Sequence, residues 1–257
     1  MKERYRFLRG LKSPISRFWY ASYRFSEALM GRAQHESLSR VSGLITVDGA
    51  VYDLRRGTAD LLVLSDAHER QTHQFIRETF PAGKTMVDIG AFSGTFSLRH
   101  RGQFAKIVAF EPSPANFAAL TRNIALSCAD NVVAINAAVS DRSGRAPLFS
   151  GNDESTNSLV DDKYQGSIEV DTVALDDAIQ QSDDGSLSLI KADVEGAEIN
   201  VLRGATRVLK RGSAWLLLEV IDLRRMREII VFLRPLQYEL FAVLDGGNCV
   251  FKKDYQP

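Results

Sequence analysis

The chain has 257 residues, 45% of them hydrophobic and 25% charged, which is enough apolar surface to bury a full core and excludes a disordered polymer. Its formal charge is zero but unevenly divided: residues 1–40 carry nine Lys/Arg against three Asp/Glu, so the front is +6 and the remainder −6. An acidic body argues against nucleic acid as a partner, because phosphate contacts need a basic surface. Cys128 and Cys249 are far apart and lack metal-ligand spacing, so they read as buried thiols of a reducing compartment. The basic start has no apolar signal core and no segment reaches the roughly 18 apolar residues of a membrane span, so a cytoplasmic location is expected.

In chain order, residues 1–65 read as an N-terminal extension and 66–257 as the main domain. Within the extension, RYRFLRGLKSPISRFWYASYRF interleaves arginines with aromatic residues. This reads as a helical cap on the main domain or an oligomer contact, with peripheral attachment to an anionic membrane surface as the alternative. ITVDGAVYDL and LLVLSD, within Gly43–Leu64, read as short strands roofing a substrate pocket, and Glu69 opens the helix leading into the core.

The stretch VDIGAFSGTFSL, Val87 to Leu98, reads as a buried strand running into a glycine-bent loop that opens a helix. Gly90 and Gly94 let the backbone bend and approach a ligand closely. About twenty residues on, IVAFEPSP ends a second strand at Glu111, from which a carboxylate can accept hydrogen bonds from both ribose hydroxyls. A dinucleotide loop needs G-x-G-x-x-G to meet a pyrophosphate, whereas this one has G-x-x-x-G and no Walker lysine follows. S-adenosylmethionine has no phosphate, and an acidic residue before the loop, Asp88, suits its ammonium group. The paired motifs therefore point to that methyl donor.

Strand and helix patterns alternate as in a parallel sheet covered on both faces. The predicted strands are Thr85–Ile89, Lys106–Phe110, Val132–Asn136, Leu187–Ala192 and Trp215–Ile221. The predicted helices are Ser113–Leu126, Ala197–Leu209 and Leu223–Leu233. Asp245-Gly246-Gly247-Asn248 reads as a hairpin turn that makes the last two strands antiparallel. Together these describe a doubly wound, seven-stranded, Rossmann-like α/β sheet of the class I methyltransferase kind. Between the third and fourth strands, strand-like pieces at Pro147–Ser150 and Ile168–Val173 flank a polar loop. Its Asn152, Ser155, Asn157 and Ser158 are candidate contacts for a hydroxylated substrate. After the fourth strand, Asp193 and Glu195 meet where ligands bind in open α/β sheets, while Glu198 reads as a first-turn stabiliser of the next helix. Two acids at a buried strand end are costly unless they meet a cation, a donor or a substrate.

The ordered set VDIGAFSGTFSL, VAFEPSPANFAALTRNI, VVAINAAVSD, VDTVALDDAI, IKADVEGAEINVLRGA and LLLEV, from about Glu69 to Glu219, resembles the FkbM-type S-adenosylmethionine-dependent methyltransferases. The resemblance implies that Asp88, Gly90 and Gly94, with Ala91 and Thr95, form the methionine-side loop. It likewise implies that Glu111, with Pro112 and Ser113, receives the ribose, and that Asn136–Asp141, including Ala137 and Ala138, edges the adenine. Asp193 and Glu195 resemble the donor–acceptor junction. One departure is that the family loop usually has Asn where this chain has Phe92, with a bulky aromatic where Thr95 stands.

Family members mostly methylate hydroxyl groups, often on sugars, polyketides or signalling oligosaccharides, so the resemblance implies an O-methyltransferase with a glycan or other hydroxylated small-molecule acceptor. A sugar hydroxyl is a poor nucleophile and needs help with its proton. No histidine lies in the motif loops, since His35, His68 and His73 precede them and His100 ends the first motif helix. The expected catalytic groups are therefore the carboxylates of Asp193 or Glu195 acting as base, with Mg²⁺ on the same acids as the alternative and no dedicated metal site. A non-catalytic nucleoside-binding scaffold and a nicotinamide oxidoreductase are the competing readings. The intact acids Asp88, Glu111 and Asp193 argue against the first and the glycine spacing against the second.

Overall fold

A computed structural model of the chain describes residues 42–65, 68–150, 157–160, 166–180, 186–220 and 222–253. The basic aromatic segment expected to cap the domain lies outside the described residues, as do Asn152 and Ser155.

The chain enters through β1 (Gly43–Val47) and β2 (Ala50–Leu54), then α1 (Asp60–Val63) and α2 (Arg70–Thr79). The first half of the domain is β3 (Lys84–Ile89), α3 (Thr95–His100), β4 (Phe104–Phe110), α4 (Pro114–Leu126) and β5 (Val132–Ile135). An excursion follows through β6 (Ala138–Ser140), β7 (Gly144–Phe149), β8 (Ser167–Ala174) and α5 (Leu175–Ala178). The second half is β9 (Leu187–Ala192), α6 (Glu198–Gly204), α7 (Thr206–Arg211), β10 (Trp215–Glu219), α8 (Leu223–Leu233), β11 (Tyr238–Val243) and β12 (Asn248–Lys253).

The main sheet has seven strands in the order β11-β12-β10-β9-β3-β4-β5, with β12 antiparallel to both neighbours and the inner strands parallel. Both faces are covered, so alternate residues of one strand enter different cores. Val87, Ile89, Val108, Phe110, Leu216 and Leu218 meet the helices after β9 on one face. Met86, Ile107, Ala109, Leu189 and Leu217 meet Phe75, Ile76, Phe96 and Leu120 on the other. Chain order reverses between β3 and β9, so the loops leaving these strands diverge and open a crevice at their carboxyl ends.

Several expectations change. The helix predicted over Ala197–Leu209 is two helices, broken at Ala205, whose φ of −107° leaves the helical region. A Cβ on Gly204 would lie 1.9 Å from the Ser140 carbonyl oxygen, so contact with β6 decides the path of this segment where the apolar period alone indicated continuity. The strand predicted to run to Ile221 stops at Glu219, and the Val220 amide turns to donate to the Gly247 carbonyl at 3.1 Å. By contrast, the strand-like pieces expected at Pro147–Ser150 and Ile168–Val173 are present as β7 and β8, which with β6 form a separate three-stranded sheet of order β6-β8-β7. Finally, Cys128 is exposed; only Cys249 is buried, with its thiol pushed up to about 12 by burial.

The β1–β2 ribbon is fastened to α4 and lines no part of the cavity described below, whereas LLVLSD, expected as a strand, begins in α1, whose Val63 does line it. The Val51 amide donates to Ser127 Oγ (2.9 Å) and the Asp53 amide to Asn123 Oδ1 (2.8 Å). Among the described residues no helix is long and apolar enough to cross a membrane.

Candidate active site

β3 ends at Ile89, and the next five residues turn the chain back into α3. Gly90 has φ +79°, and a Cβ there would stand 1.9 Å from the Asp193 carbonyl oxygen, so the carboxyl ends of β3 and β9 approach at a distance only glycine permits. The Gly90 and Ala91 amides both donate to the Phe110 carbonyl at 3.0 Å, tying the loop to β4. Phe92 takes φ +53°, a region that Asn adopts more readily than Phe. The aromatic side chain is held from outside: the Arg55 guanidinium lies 5.0 Å above its ring, while Arg55 is anchored on Asp60 (2.8 Å) and Asn116 (2.8 Å).

β4 delivers Glu111, of which 4% is exposed, to the same crevice. Its two oxygens accept from the Phe92 amide (2.8 Å) and the Ser113 amide (2.9 Å). Burial nevertheless raises its pKa to about 7, opposed by those two amides. The Asn116 side chain is a third donor to this carboxylate, and the three together leave part of its four-lone-pair capacity open. Beside it, Ala137, Ala138, Val139 and Leu148 make an apolar slot.

The opposite end of the cavity is charged. Lys191, in the middle of the apolar strand β9, is buried on the register position facing Asp88, and its Nζ lies 3.6 Å from Asp88 Oδ1 and 3.3 Å from Asp193 Oδ2. Burial alone would lower its pKa; the carboxylates of Asp193, Asp88 and Glu69 more than reverse this, so the ammonium stays charged. Burial likewise disfavours the charge on Asp193, and Lys191 overrides it, so that carboxyl is held below its usual range. Asp193 also shares a hydrogen bond with Glu219, which burial and the Asp193 charge push well above the ordinary carboxyl range. Asp193, Glu195 and Glu219 bring one oxygen each within 4.8 Å of the others. The ammonium of Lys191 and a proton shared between Asp193 and Glu219 offset part of that charge, and Lys191 is itself shared with Asp88.

Of the residues singled out in the sequence, Gly90, Ala91, Thr95, Glu111, Pro112, Ala137, Ala138 and Asp193 line this one cavity, together with Asn157 of the polar loop. Others support it from behind. Asp88 is completely buried and accepts from Ser97 Oγ at 2.6 Å, so it holds Lys191 rather than facing the position expected for an ammonium ligand. Gly94 caps α3, and Asn136 donates from Nδ2 to the carbonyls of Glu111 (2.8 Å) and Pro112 (3.1 Å). The Glu195 carbonyl accepts from Ser158 Oγ (2.9 Å), and Glu198 accepts from the Gly196 amide (2.9 Å) at the start of α6.

Sequence reasoning missed Lys191, Glu219, Glu69, His68 and His73. For Lys191 a signal existed, a lone charge inside LSLIKA. His68, Glu69 and His73 line the cavity although they precede every motif, so histidines reach the site from outside the motif loops. His73 is neutral, lowered to about 2 by burial and the neighbouring His100, to which its Nδ1 is bonded at 2.8 Å. His100 is lowered to about 4, and its Nδ1 meets Gln103 Oε1 at 2.8 Å.

The Methyltransferase FkbM domain model matches residues 88–240, from the end of β3 to β11. The chain belongs to the FkbM methyltransferase family. Methyltransferase sdnD of Sordaria araneosa is 32% identical over 166 aligned residues, covering 51% of this chain and 64% of its own. The hexuronic acid methyltransferase AglP of Haloferax volcanii is 26% identical over 142, covering 55% and 58%. The chain thus spans less than two thirds of the length of these relatives. The crystal structure of the FkbM methyltransferase from Methylobacillus flagellatus aligns with a TM-score of 0.47 at 21% identity, covering 69% of this chain and 46% of that one.

Proposed function

We propose that this chain is an S-adenosylmethionine-dependent O-methyltransferase that acts on a hydroxyl of a sugar or a related small molecule. The observation that carries the reading is the polarity of one cavity. Glu111 stands with acceptor capacity to spare beside an apolar slot, and Lys191, Asp193 and Glu69 stand at the other end. Adenine, ribose and a zwitterionic amino-acid tail match that order of surfaces. Bound there, the donor would supply an electrophilic methyl on a sulfonium, so that the protein's task is to hold an acceptor oxygen in line with it in a dry site. Asp193, already compensated by Lys191, is suited to orient the acceptor by accepting a hydrogen bond from a hydroxyl next to the reacting one, and Glu195 lies beside Asp193. The relative from Haloferax volcanii, a hexuronic acid methyltransferase, directs the first acceptor to test.

The test is transfer of a labelled methyl group from S-adenosylmethionine to p-nitrophenyl β-D-glucuronide, read as labelled product after chromatography. Label in the glycoside supports a sugar acceptor; donor binding without transfer to it or to other glycosides overturns that part of the reading. Asp193→Asn is expected to slow transfer far more than it weakens binding of S-adenosylhomocysteine, because the uncharged amide orients a hydroxyl poorly. Treatment with EDTA should leave the rate unchanged, and a rate abolished by EDTA and restored by Mg²⁺ would instead place a metal on Asp193 and Glu195.

Glu111 gives a test that needs no acceptor. Glu111→Ala removes a charged acceptor of two hydroxyls, about 1.5–3 kcal/mol per bond before water compensates, so calorimetry should show S-adenosylhomocysteine bound roughly tenfold or more weakly. Wild-type affinity should fall as pH drops through about 7, since protonation turns one of the two acceptor oxygens into a donor. The variant should lose that dependence, and equal affinity in both proteins overturns the ribose contact.

A further inference from the structure

We propose that Glu69 is the carboxylate that faces the donor's sulfonium and receives the acceptor's proton. The inference rests on the donor assignment above and concerns a residue outside residues 88–240, the span that the family model matches. Glu69 lines the cavity at the end remote from the apolar slot, on the wall shared with Lys191 and Asp193. A sulfonium joined to the ribose on the side away from the base lies toward that end.

The way Glu69 is held supports the role. It is not a helical residue but the cap of α2, with φ +47°, a left-handed conformation that a glutamate keeps only when its surroundings impose it. They do so from the far end of the chain. In the β11–β12 turn, Asp245 accepts from the Gln71 amide (2.8 Å), the Thr72 amide (3.0 Å) and Thr72 Oγ1 (2.9 Å), performing the capping that Glu69's own side chain does not. Asn248 Nδ2 donates to Glu69 Oε1 at 2.8 Å and to the Asp245 carbonyl at 3.1 Å. One carboxylate oxygen is thus fixed, and the other has no hydrogen-bond partner among the described residues.

Asp193 is poorly suited to take a proton, since Lys191 compensates its charge at 3.3 Å. Glu69 differs: burial raises its pKa, with the charges of His68 and Lys191 opposing and that of Asp193 assisting. Glu219 couples to it from β10, and Asp245 and Asn248 face its element from the hairpin turn. In the transfer, a lone pair of the hydroxyl oxygen forms the new C–O bond. The C–S pair remains on sulfur, and the hydroxyl proton passes to the open oxygen of Glu69. Atoms and charge balance: a sulfonium and a carboxylate give a neutral thioether and a carboxylic acid.

Because the donor carries the sulfonium and its product does not, calorimetry with S-adenosylmethionine and S-adenosylhomocysteine isolates Glu69 without an acceptor. Glu69→Gln keeps the shape and the Asn248 bond. It should weaken the sulfonium ligand about tenfold, or ~1.4 kcal/mol, and the thioether by about twofold at most. Run in two buffers of different ionisation heat, wild type should release more protons on binding S-adenosylmethionine than on binding S-adenosylhomocysteine, the release common to both coming from Glu111, and E69Q should release the same number with either ligand. Equal loss for both ligands, or an excess proton release with S-adenosylmethionine that persists in E69Q, overturns the proposal. So does His68→Asn if it abolishes the discrimination while E69Q keeps it. If E69Q binds neither ligand, Asn248→Ala carries the test and should alter affinity for S-adenosylmethionine alone. A wild-type protein that binds neither ligand removes the donor assignment itself, a result distinct from any of these.

Discussion

Lys191→Met should cost roughly 3–5 kcal/mol of folding stability, the loss typical when one member of a buried ion pair is removed and the other charge is left uncompensated. Asp88 is fully enclosed and has Lys191 as its ion-pair partner, while its other oxygen is occupied by Ser97. For a chain of this size that loss corresponds to a fall in Tm of roughly 6–20 °C. The methionine fills nearly the same volume, so a cavity contributes little to the effect. The decisive companion is Lys191→Met with Asp88→Asn. The amide still accepts from Ser97 and carries no charge, so the double variant should recover most of the stability while donor affinity stays low. A single variant as stable as wild type would show that the ammonium does not support the sheet, and additive losses in the double variant would show the same.

Gly90→Ala should abolish donor binding. Its backbone is left-handed at φ +79°, and the new methyl would stand 1.9 Å from the Asp193 carbonyl oxygen, a backbone atom that cannot swing aside. Relief requires β3 and β9 to part at their carboxyl ends, where the Asp193 amide now donates to the Ile89 carbonyl at 3.0 Å. That movement displaces the loop carrying Ala91 and Phe92 and, through the Phe92 amide, Glu111. Gly102→Ala is the control, since a Cβ there meets nothing within 4 Å; it should change stability by about 0.5 kcal/mol or less and leave binding intact. Measurable S-adenosylhomocysteine binding by Gly90→Ala would mean that the strand ends separate without disturbing the site.

The elements that were legible in the sequence are those whose pattern is local. Continuous apolar runs marked β3, β4, β9 and β10 because parallel strands covered on both faces need apolar residues on both. Asp245-Gly246-Gly247-Asn248 marked the final hairpin because its backbone demands glycine at φ +66° and +81°. The G-x-x-x-G loop and Glu111 were legible for the same reason, one needing freedom of backbone and the other a single acid after an apolar strand. The helix break at Ala205 was not, since it depends on a carbonyl of β6 that is remote in sequence.

By itself, then, the sequence determined the doubly wound sheet, its antiparallel close and the family, all properties written in residue period and short spacing. Only the tertiary structure decided which charges share a cavity. Asp88, assigned from its place before the glycine loop to a ligand, proved to be an internal counterion, because strand register sets Lys191 beside it. Glu69 and His68, which precede every motif, came to the cavity because the hairpin turn at the other end of the chain holds the start of α2 there. Register and docking of this kind are long-range, and no periodicity within either segment encodes them.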